Sequence, residues 1–245
     1  MESATIGAFN RPDSLSIFTP QFHMKQTPLH FNYNQHILHL MPKDRKRVVE
    51  VGCSSGALAK AYRDINKDCL YTGLEIDPGF AEIARASCSD VICGNIEKFD
   101  DEQFSALFPS DCWIFGDVLE HLYDPWALLA RLRPRLDAGA QIIACVPNAQ
   151  HWSIQVNLNA GSFNYEEMGL MDRTHIRWFT RLTLIEMFQS AGYKIIEGMP
   201  RIMDEPNREK FMPAIRAMAA VTGMDPQQAT TDATAFQWVV KAVPV

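Results

Sequence analysis

The chain has 245 residues, 47% hydrophobic and 21% charged, the proportions of a globular protein long enough to bury one sizeable core. Its formal net charge of -6 argues against a nucleic-acid partner held through phosphate contacts, because such proteins present a basic face. No apolar run approaches the roughly 18 residues that a bilayer span requires, so no membrane partner is expected.

The opening MESATIGAFNRPD carries neither the basic nor the apolar section of a secretory leader. Residues 1–44 read as irregular, because Pro12, Pro20, Pro28 and Pro42 forbid a long helix; a short helix fits Tyr33–Leu40. His23, His30, His36 and His39 invite a metal reading, but no Cys, Asp or Glu joins them at ligand spacing, and no metal is expected. This segment reads instead as a lid, with Phe22, Phe31 and Tyr33 excluding water and Tyr33 reaching a substrate. The six cysteines show no C-x-x-C pair and no Cys/His metal spacing. Most sit in apolar stretches, as small core residues of a reduced, cytoplasmic protein.

From Arg47 onward, short β-type runs alternate with helical periods. Strands are expected at Arg47–Val51, Leu70–Glu75, Asp90–Cys93, Cys112–Asp117, Gln141–Val146, Tyr193–Met199 and Phe236–Val243. Between them, helices are expected at Gly56–Ile65, Gly79–Ala86, Asp101–Leu107, Pro125–Leu136 and Thr180–Ala191, the last closed by Gly192. Two more fit Asn207–Gly223 and Pro226–Thr234. The alternation predicts an α/β, Rossmann-like, doubly wound sheet of seven strands, mostly parallel. Pro147–Trp178 breaks the rhythm and reads as an insertion after strand five.

The chemistry begins in VVEVGCSSGALA, Val48 to Ala59. A dinucleotide loop needs G-x-G-x-x-G; here the spacing is Glu50-x-Gly52-x-x-x-Gly56. Glu50 would repel a pyrophosphate and attract an ammonium group, directly or through water. Gly52 and Gly56 allow close backbone approach, and the helix start at Gly56 favours a carboxylate. A zwitterionic amino-acid end satisfies both. Glu75 lies where nucleotide folds place the acid that binds ribose hydroxyls, with Asp77 as a neighbour that could substitute. In ICGNIEKFD, Asn95 offers an acceptor to an adenine amine and Ile96 covers the ring, although Asn in a loop also serves simply as a turn residue.

In this order, on successive strand ends, these residues resemble the class I S-adenosylmethionine-dependent methyltransferases. Their pattern is E/D-x-G-x-x-x-G, an acid after strand two and Asp after strand three; this chain has Cys53-Ser54-Ser55 inside the loop and Asn95 for the Asp. IFGDVLEHLYDPWALL and GLMDRTHIRWFTRLTLIEMFQSAGY further resemble small-molecule methyltransferases of sugar, polysaccharide and secondary-metabolite pathways. The resemblance runs from about Val48 to Tyr193 and implies S-adenosyl-L-methionine as cofactor, S-adenosyl-L-homocysteine as product and a last strand antiparallel to the rest. It implies a cofactor site of Glu50, Gly52, Cys53, Gly56, Glu75, Ile76, Asn95, Ile96, Asp117 and Val118.

For the acceptor side, Asp117, His121 and His175 are the catalytic candidates, with His121 alternatively a helix-capping donor. Glu120 reads as first-turn helix charge, and Asp172 with Arg173 as a structural salt-bridge corner. Asn148 stands at the active-site edge, and the insertion supplies Trp152, Phe163 and Tyr165 as pocket walls. One domain over 1–245 is expected: a lid (1–44), a cofactor-binding half (45–147), a substrate-side insertion (148–178) and C-terminal helices and strands (179–245). It would act on a small-molecule oxygen or nitrogen as a monomer or homodimer. Two rivals remain: a catalytically silent adenosylmethionine-binding scaffold, and a nicotinamide oxidoreductase, which Glu50 and the missing glycine oppose.

Overall fold

The computed structural model describes residues 29–245. In chain order the elements are α1 (Gln35–Leu40), β1 (Arg47–Val51), α2 (Ala57–Ile65), β2 (Leu70–Glu75), α3 (Pro78–Ala84), β3 (Asp90–Cys93), α4 (Asp101–Ser105), β4 (Cys112–Gly116), α5 (Pro125–Leu132), β5 (Gln141–Pro147), α6 (Trp152–Asn159), α7 (Arg181–Ser190), β6 (Tyr193–Ile202), α8 (Met212–Val221), α9 (Pro226–Thr234) and β7 (Ala235–Pro244). The sheet order is β3-β2-β1-β4-β5-β7-β6. β1 pairs in parallel with β2 and β4, while β7 runs antiparallel to both β5 and β6. This is the expected seven-stranded, Rossmann-like sheet with its last strand reversed.

Strand alternation divides the core into two layers. Val49, Val51, Trp113 and Phe115 face one way, onto Phe104, Leu129, Leu132 and Phe188. Val48, Cys112 and Ile114 face the other way, onto Ile37, Leu58, Tyr62 and Ala81. Burying each large side chain is worth about 1.5–3 kcal/mol, so β1 and β4, covered on both faces, form a rigid base for whatever their ends carry.

Helix starts follow local chemistry. Asp77 accepts from Gly79 N–H and Phe80 N–H with Pro78 in the first turn of α3, and Asp124 caps α5 ahead of Pro125. Thr180 and Thr183 form a capping box on α7. Strand β4 ends one residue earlier than expected, because Asp117 turns to a left-handed φ of +57° and leaves the ladder. Leu119–His121 is a single 3-10 turn separate from α5, and Glu120 within its first turn is buried instead of solvated. Strand order reverses between β1 and β4, and ligand crevices in open α/β sheets form at the carboxyl ends beside such a reversal.

Candidate active site

The loop after β1 is fastened to β2. Gly52 N–H and Cys53 N–H both donate to Leu74 C=O, at 2.8 and 3.0 Å. Ser54, itself left-handed at φ +48°, donates its N–H to Glu75 Oε2 at 2.8 Å, and Asp77 N–H donates to Glu75 Oε1 at 3.0 Å. The acid at the end of β2 is therefore buried and directed at the glycine loop, while Ile76 beside it is exposed. Gly52 has φ +72°, and a Cβ there would sit 2.6 Å from Val118 Cγ2. That places Val118, after β4, against the backbone of the first loop. Gly56 has a different reason: a Cβ would press on Ala84 and Ser87, so it allows α2 to approach α3. Its N–H donates to Cys53 C=O, and Cys53 itself packs into the core.

Glu50 is also buried, and Tyr71 O–H donates to its Oε2 at 2.9 Å. Burial holds its carboxyl well above the usual carboxylate range, against the lowering effect of Tyr71. Asn95 Oδ1 accepts from Glu97 N–H at 2.9 Å and so caps a short turn, with Ile96 buried beneath it. The Cβ-free cradle at Gly52, the buried acid at the end of β2 and an exposed apolar flank at Ile76 suit a nucleoside with an amino-acid tail.

Next to this half lies a crevice of about 160 Å³, walled by His30, Asp117, Glu120, His121, Leu170, Asp172, His175 and Gln237. Asp117 opens onto it, held by Gln237 Nε2–H and by Cys145 S–H, both donating to Oδ1. Protein surrounding its carboxyl pushes the pKa up to about 6, with the Arg201 guanidinium pulling the other way. Arg201 in turn donates to Gln237 Oε1 at 2.6 Å, which fixes the orientation of that amide.

His121 and His175 meet edge to face, their ring centroids 4.8 Å apart. His121 Nδ1 lies 3.2 Å from Thr174 C=O and 3.1 Å from Thr174 Oγ1, whose own proton goes to Asp172. His175 Nδ1 lies 3.1 Å from Leu170 C=O. A carbonyl only accepts, so both rings carry their proton on Nδ1 and keep a lone pair on Nε2. Burial lowers both imidazole pKa values, keeping the rings neutral. Glu120 is only 1% exposed, and neither carboxyl oxygen has a hydrogen-bond partner. Its backbone carbonyl accepts from Ile176 N–H and Arg177 N–H, which binds the insertion to the end of β4.

The crevice gathers Asp117, His121 and His175 from the expected site residues, and the remaining acceptor-side candidates lie elsewhere. Asn148 is fully buried and donates to Asp232 C=O and Ala235 C=O, bracing β5 to the α9–β7 junction. Trp152 stacks on Phe211 at 5.4 Å and donates to Glu205, toward the C-terminal helices. Phe163 and Tyr165 are exposed and lean on one another. Tyr33 and Phe31 line a separate groove beside α2, with Phe31 70% exposed. Phe22 and His23 lie outside the described residues. His30, however, crosses the glycine loop, its carbonyl accepting from Ser55 O–H at 2.7 Å. At the corner read as a salt-bridge site, Asp172 accepts from Thr174 O–H, and the ion pair is Arg173 with Glu167 at 2.7 Å. Glu120, read from the sequence as helix charge, lines the crevice, and Gln237 and Arg201 join it from distant strands. Only the adjacency of Glu120 to His121 offered any signal.

This fold, with its glycine cradle, end-of-strand acid and adjoining polar crevice, is that of a class I S-adenosylmethionine-dependent methyltransferase. The chain belongs to the methyltransferase-domain family, whose model matches residues 29–197; its cofactor is S-adenosyl-L-methionine. Among solved structures, it resembles a Haloferax volcanii methyltransferase in complex with the activator Trm112, at TM-score 0.57 and 19% identity, covering 86% of this chain and 88% of that one. It also resembles magnesium protoporphyrin IX methyltransferase from Synechocystis PCC 6803 with bound S-adenosylhomocysteine, at TM-score 0.54 and 12% identity over 86% and 80% of the two chains. The [4+2]-cyclase SpnF matches at TM-score 0.54 and 17% identity over 86% and 79%. At these identities the likeness is one of fold, and the fold alone does not name a reaction. No curated protein matches the sequence. Among the described residues, no helix is long and apolar enough to cross a membrane.

Proposed function

We propose that the protein moves a methyl group to an oxygen or nitrogen of a small-molecule acceptor, a sugar or secondary metabolite, bound in the crevice beside Asp117, His121 and His175. The observation that carries this reading is the adjacency of the two halves. Val118 touches the Gly52 cradle, while Asp117 and His121, on either side of it in the same turn, wall the crevice.

S-adenosyl-L-methionine supplies a sulfonium methyl group that needs little activation. The chain therefore has to hold the acceptor in line and exclude water, effects worth up to about 7–11 kcal/mol. The carboxyl ends of β4 and β5 provide the rigid floor, and Met168 to Leu170 of the insertion form the opposite wall. A hydroxyl acceptor also has to lose a proton, and a positioned base contributes about 10²–10⁴-fold. His121 and His175 present unprotonated Nε2 atoms for that role, and Asp117 is the third group in reach of the same space. An amine or ring nitrogen with a free lone pair needs positioning alone.

The test is a screen for methyl transfer from labelled cofactor to sugars, phenols and azaheterocycles, run alongside a titration with S-adenosylhomocysteine. Tight binding of S-adenosylhomocysteine with transfer to one acceptor class supports the reading. Tight binding with no transfer across all three classes overturns it in favour of a silent scaffold.

A further inference from the structure

We propose that Glu120, His121 and His175 form a binding site for a divalent transition cation of the zinc type. One ligand atom from each lies within 4.8 Å of the others, and the His175 Nε2 to Glu120 Oε1 distance is 4.0 Å.

Three features make this arrangement a ligand set. The first is Glu120, a carboxyl 1% exposed, both of whose oxygens lack a hydrogen-bond partner. An unpaired buried carboxylate is costly, and coordination of a cation removes that cost. The second is the tautomer of each imidazole. Thr174 C=O and Leu170 C=O each hold an Nδ1–H, so both Nε2 lone pairs are available for coordination. Metal-bound histidines are oriented in this way, the other ring nitrogen donating to a carbonyl or carboxylate. Asp172 extends the support by accepting from Thr174 O–H at 2.6 Å. The third is access: all three side chains wall the crevice, so a fourth position faces the space assigned to the acceptor.

Two imidazoles and one carboxylate with an open position suit zinc and its neighbours better than magnesium or calcium, which prefer all-oxygen shells. Zinc–ligand bonds of about 2.0–2.2 Å bring tetrahedral ligand atoms to roughly 3.3 Å apart. Closing from 4.0–4.8 Å takes small side-chain rotations of Glu120 and the rings. In this state the cation, rather than a bare Nε2, would meet an acceptor oxygen and lower the pKa of its hydroxyl. The site is proposed for the crevice of the preceding section, but cation binding itself does not depend on methyl transfer.

The experiment is a titration of chelator-stripped full-length protein with Zn²⁺ by calorimetry, and with Co²⁺ by visible absorption, without cofactor or acceptor. Wild-type protein should bind one ion per chain, with Co²⁺ giving the intense visible bands of a four- or five-coordinate site. Glu120→Gln and His175→Ala, each checked for folding by circular dichroism, should weaken binding at least tenfold. His36→Ala/His39→Ala, which alters the N-terminal histidines, should leave binding unchanged. No binding by the wild type at 100 µM metal, on the order of a non-specific affinity, would overturn the proposal. So would equal affinity in Glu120→Gln and His175→Ala, or loss of the site only in the N-terminal variant. Protein reloaded with Zn²⁺ that holds the ion but transfers no methyl group to any of the three acceptor classes would sink the methyl-transfer reading and leave this one standing.

Discussion

Glu75 accepts the Ser54 N–H at 2.8 Å, so the acid that ends β2 is tied to the loop that ends β1. The same carboxylate accepts Asp77 N–H through its other oxygen. It therefore shapes the cradle, and the ribose contact proposed for it would be made by a carboxylate whose orientation the loop already fixes.

Replacement of Glu75 should weaken cofactor binding more than the loss of one contact would. Glu75→Ala is expected to raise the dissociation constant for S-adenosylhomocysteine by about 30- to 1,000-fold, the scale of two charge-assisted hydrogen bonds. Glu75→Gln should not rescue it, because its NH₂ would face either Ser54 N–H or Asp77 N–H, donor against donor. Calorimetry on both variants checks this, and near-wild-type affinity in Glu75→Gln would place the ribose contact elsewhere.

Gly52 carries a prediction for stability as well as binding. Its φ of +72° and the 2.6 Å approach of Val118 Cγ2 mean that any side chain is strained and crowded. Gly52→Ala should lose about 1–2 kcal/mol from the backbone alone and lower the melting temperature by about 2–8 °C. Gly52→Val should abolish cofactor binding, though with a larger loss of stability than the loop sequence suggests. Pairing Gly52→Ala with Val118→Ala relieves the crowding but not the dihedral strain. The double variant should therefore recover only part of the melting temperature.

The fold was readable because its signals are local. Each core strand is a short apolar run, and the caps at Asp77, Asp124 and Thr180 sit where the periods begin. The site was readable only where it lies on strand ends. Glu120 sits next to His121 in the chain, yet Ile176 and Arg177 fold back onto its carbonyl, and no local period encodes that contact. Gln237 reaches Asp117 across 120 residues. Asn148, Trp152 and Phe163 show the converse, residues of suitable chemistry whose side chains brace the C-terminal half or face outward.

Asp117 should trade stability for reactivity. Its pKa in the folded protein is about 6, above the ordinary value, because the protein packed around its carboxyl penalises the charged form even though the residue is exposed to the crevice. Between about pH 4 and pH 6 the folded state then binds more protons than the unfolded state, so this group's contribution falls as pH rises and is fully lost above about 6. Asparagine tolerates φ +57° and keeps Oδ1 for Gln237 and Cys145. Asp117→Asn should therefore melt about 2–4 °C higher than wild type at pH 8, roughly 1 kcal/mol after allowing for solvent in the crevice. The gain should vanish near pH 4, and an equal gain at both pH values would separate it from the carboxylate.

His121 and His175 decide whether a neutral imidazole takes the acceptor's proton. The measurement belongs in chelator-stripped protein, where both Nε2 atoms are unligated. If one ring is the base, replacing it with Gln should lower turnover by about 10²–10⁴-fold with little change in S-adenosylhomocysteine affinity. The pH profile adds a second reading. Burial lowers both pKa values from the usual 6.5, and the neighbouring ring lowers that of His175 further. The acid limb of the turnover profile should therefore lie below pH 6.5. The stability contribution has the same sign: the unfolded chain takes up protons first, so stability drops as pH falls through 6.5. Turnover within a few-fold of wild type in both variants would rule out histidine as the base. Asp117 would then be the proton acceptor to test, and an acid limb near pH 6 that disappears in Asp117→Asn would identify it.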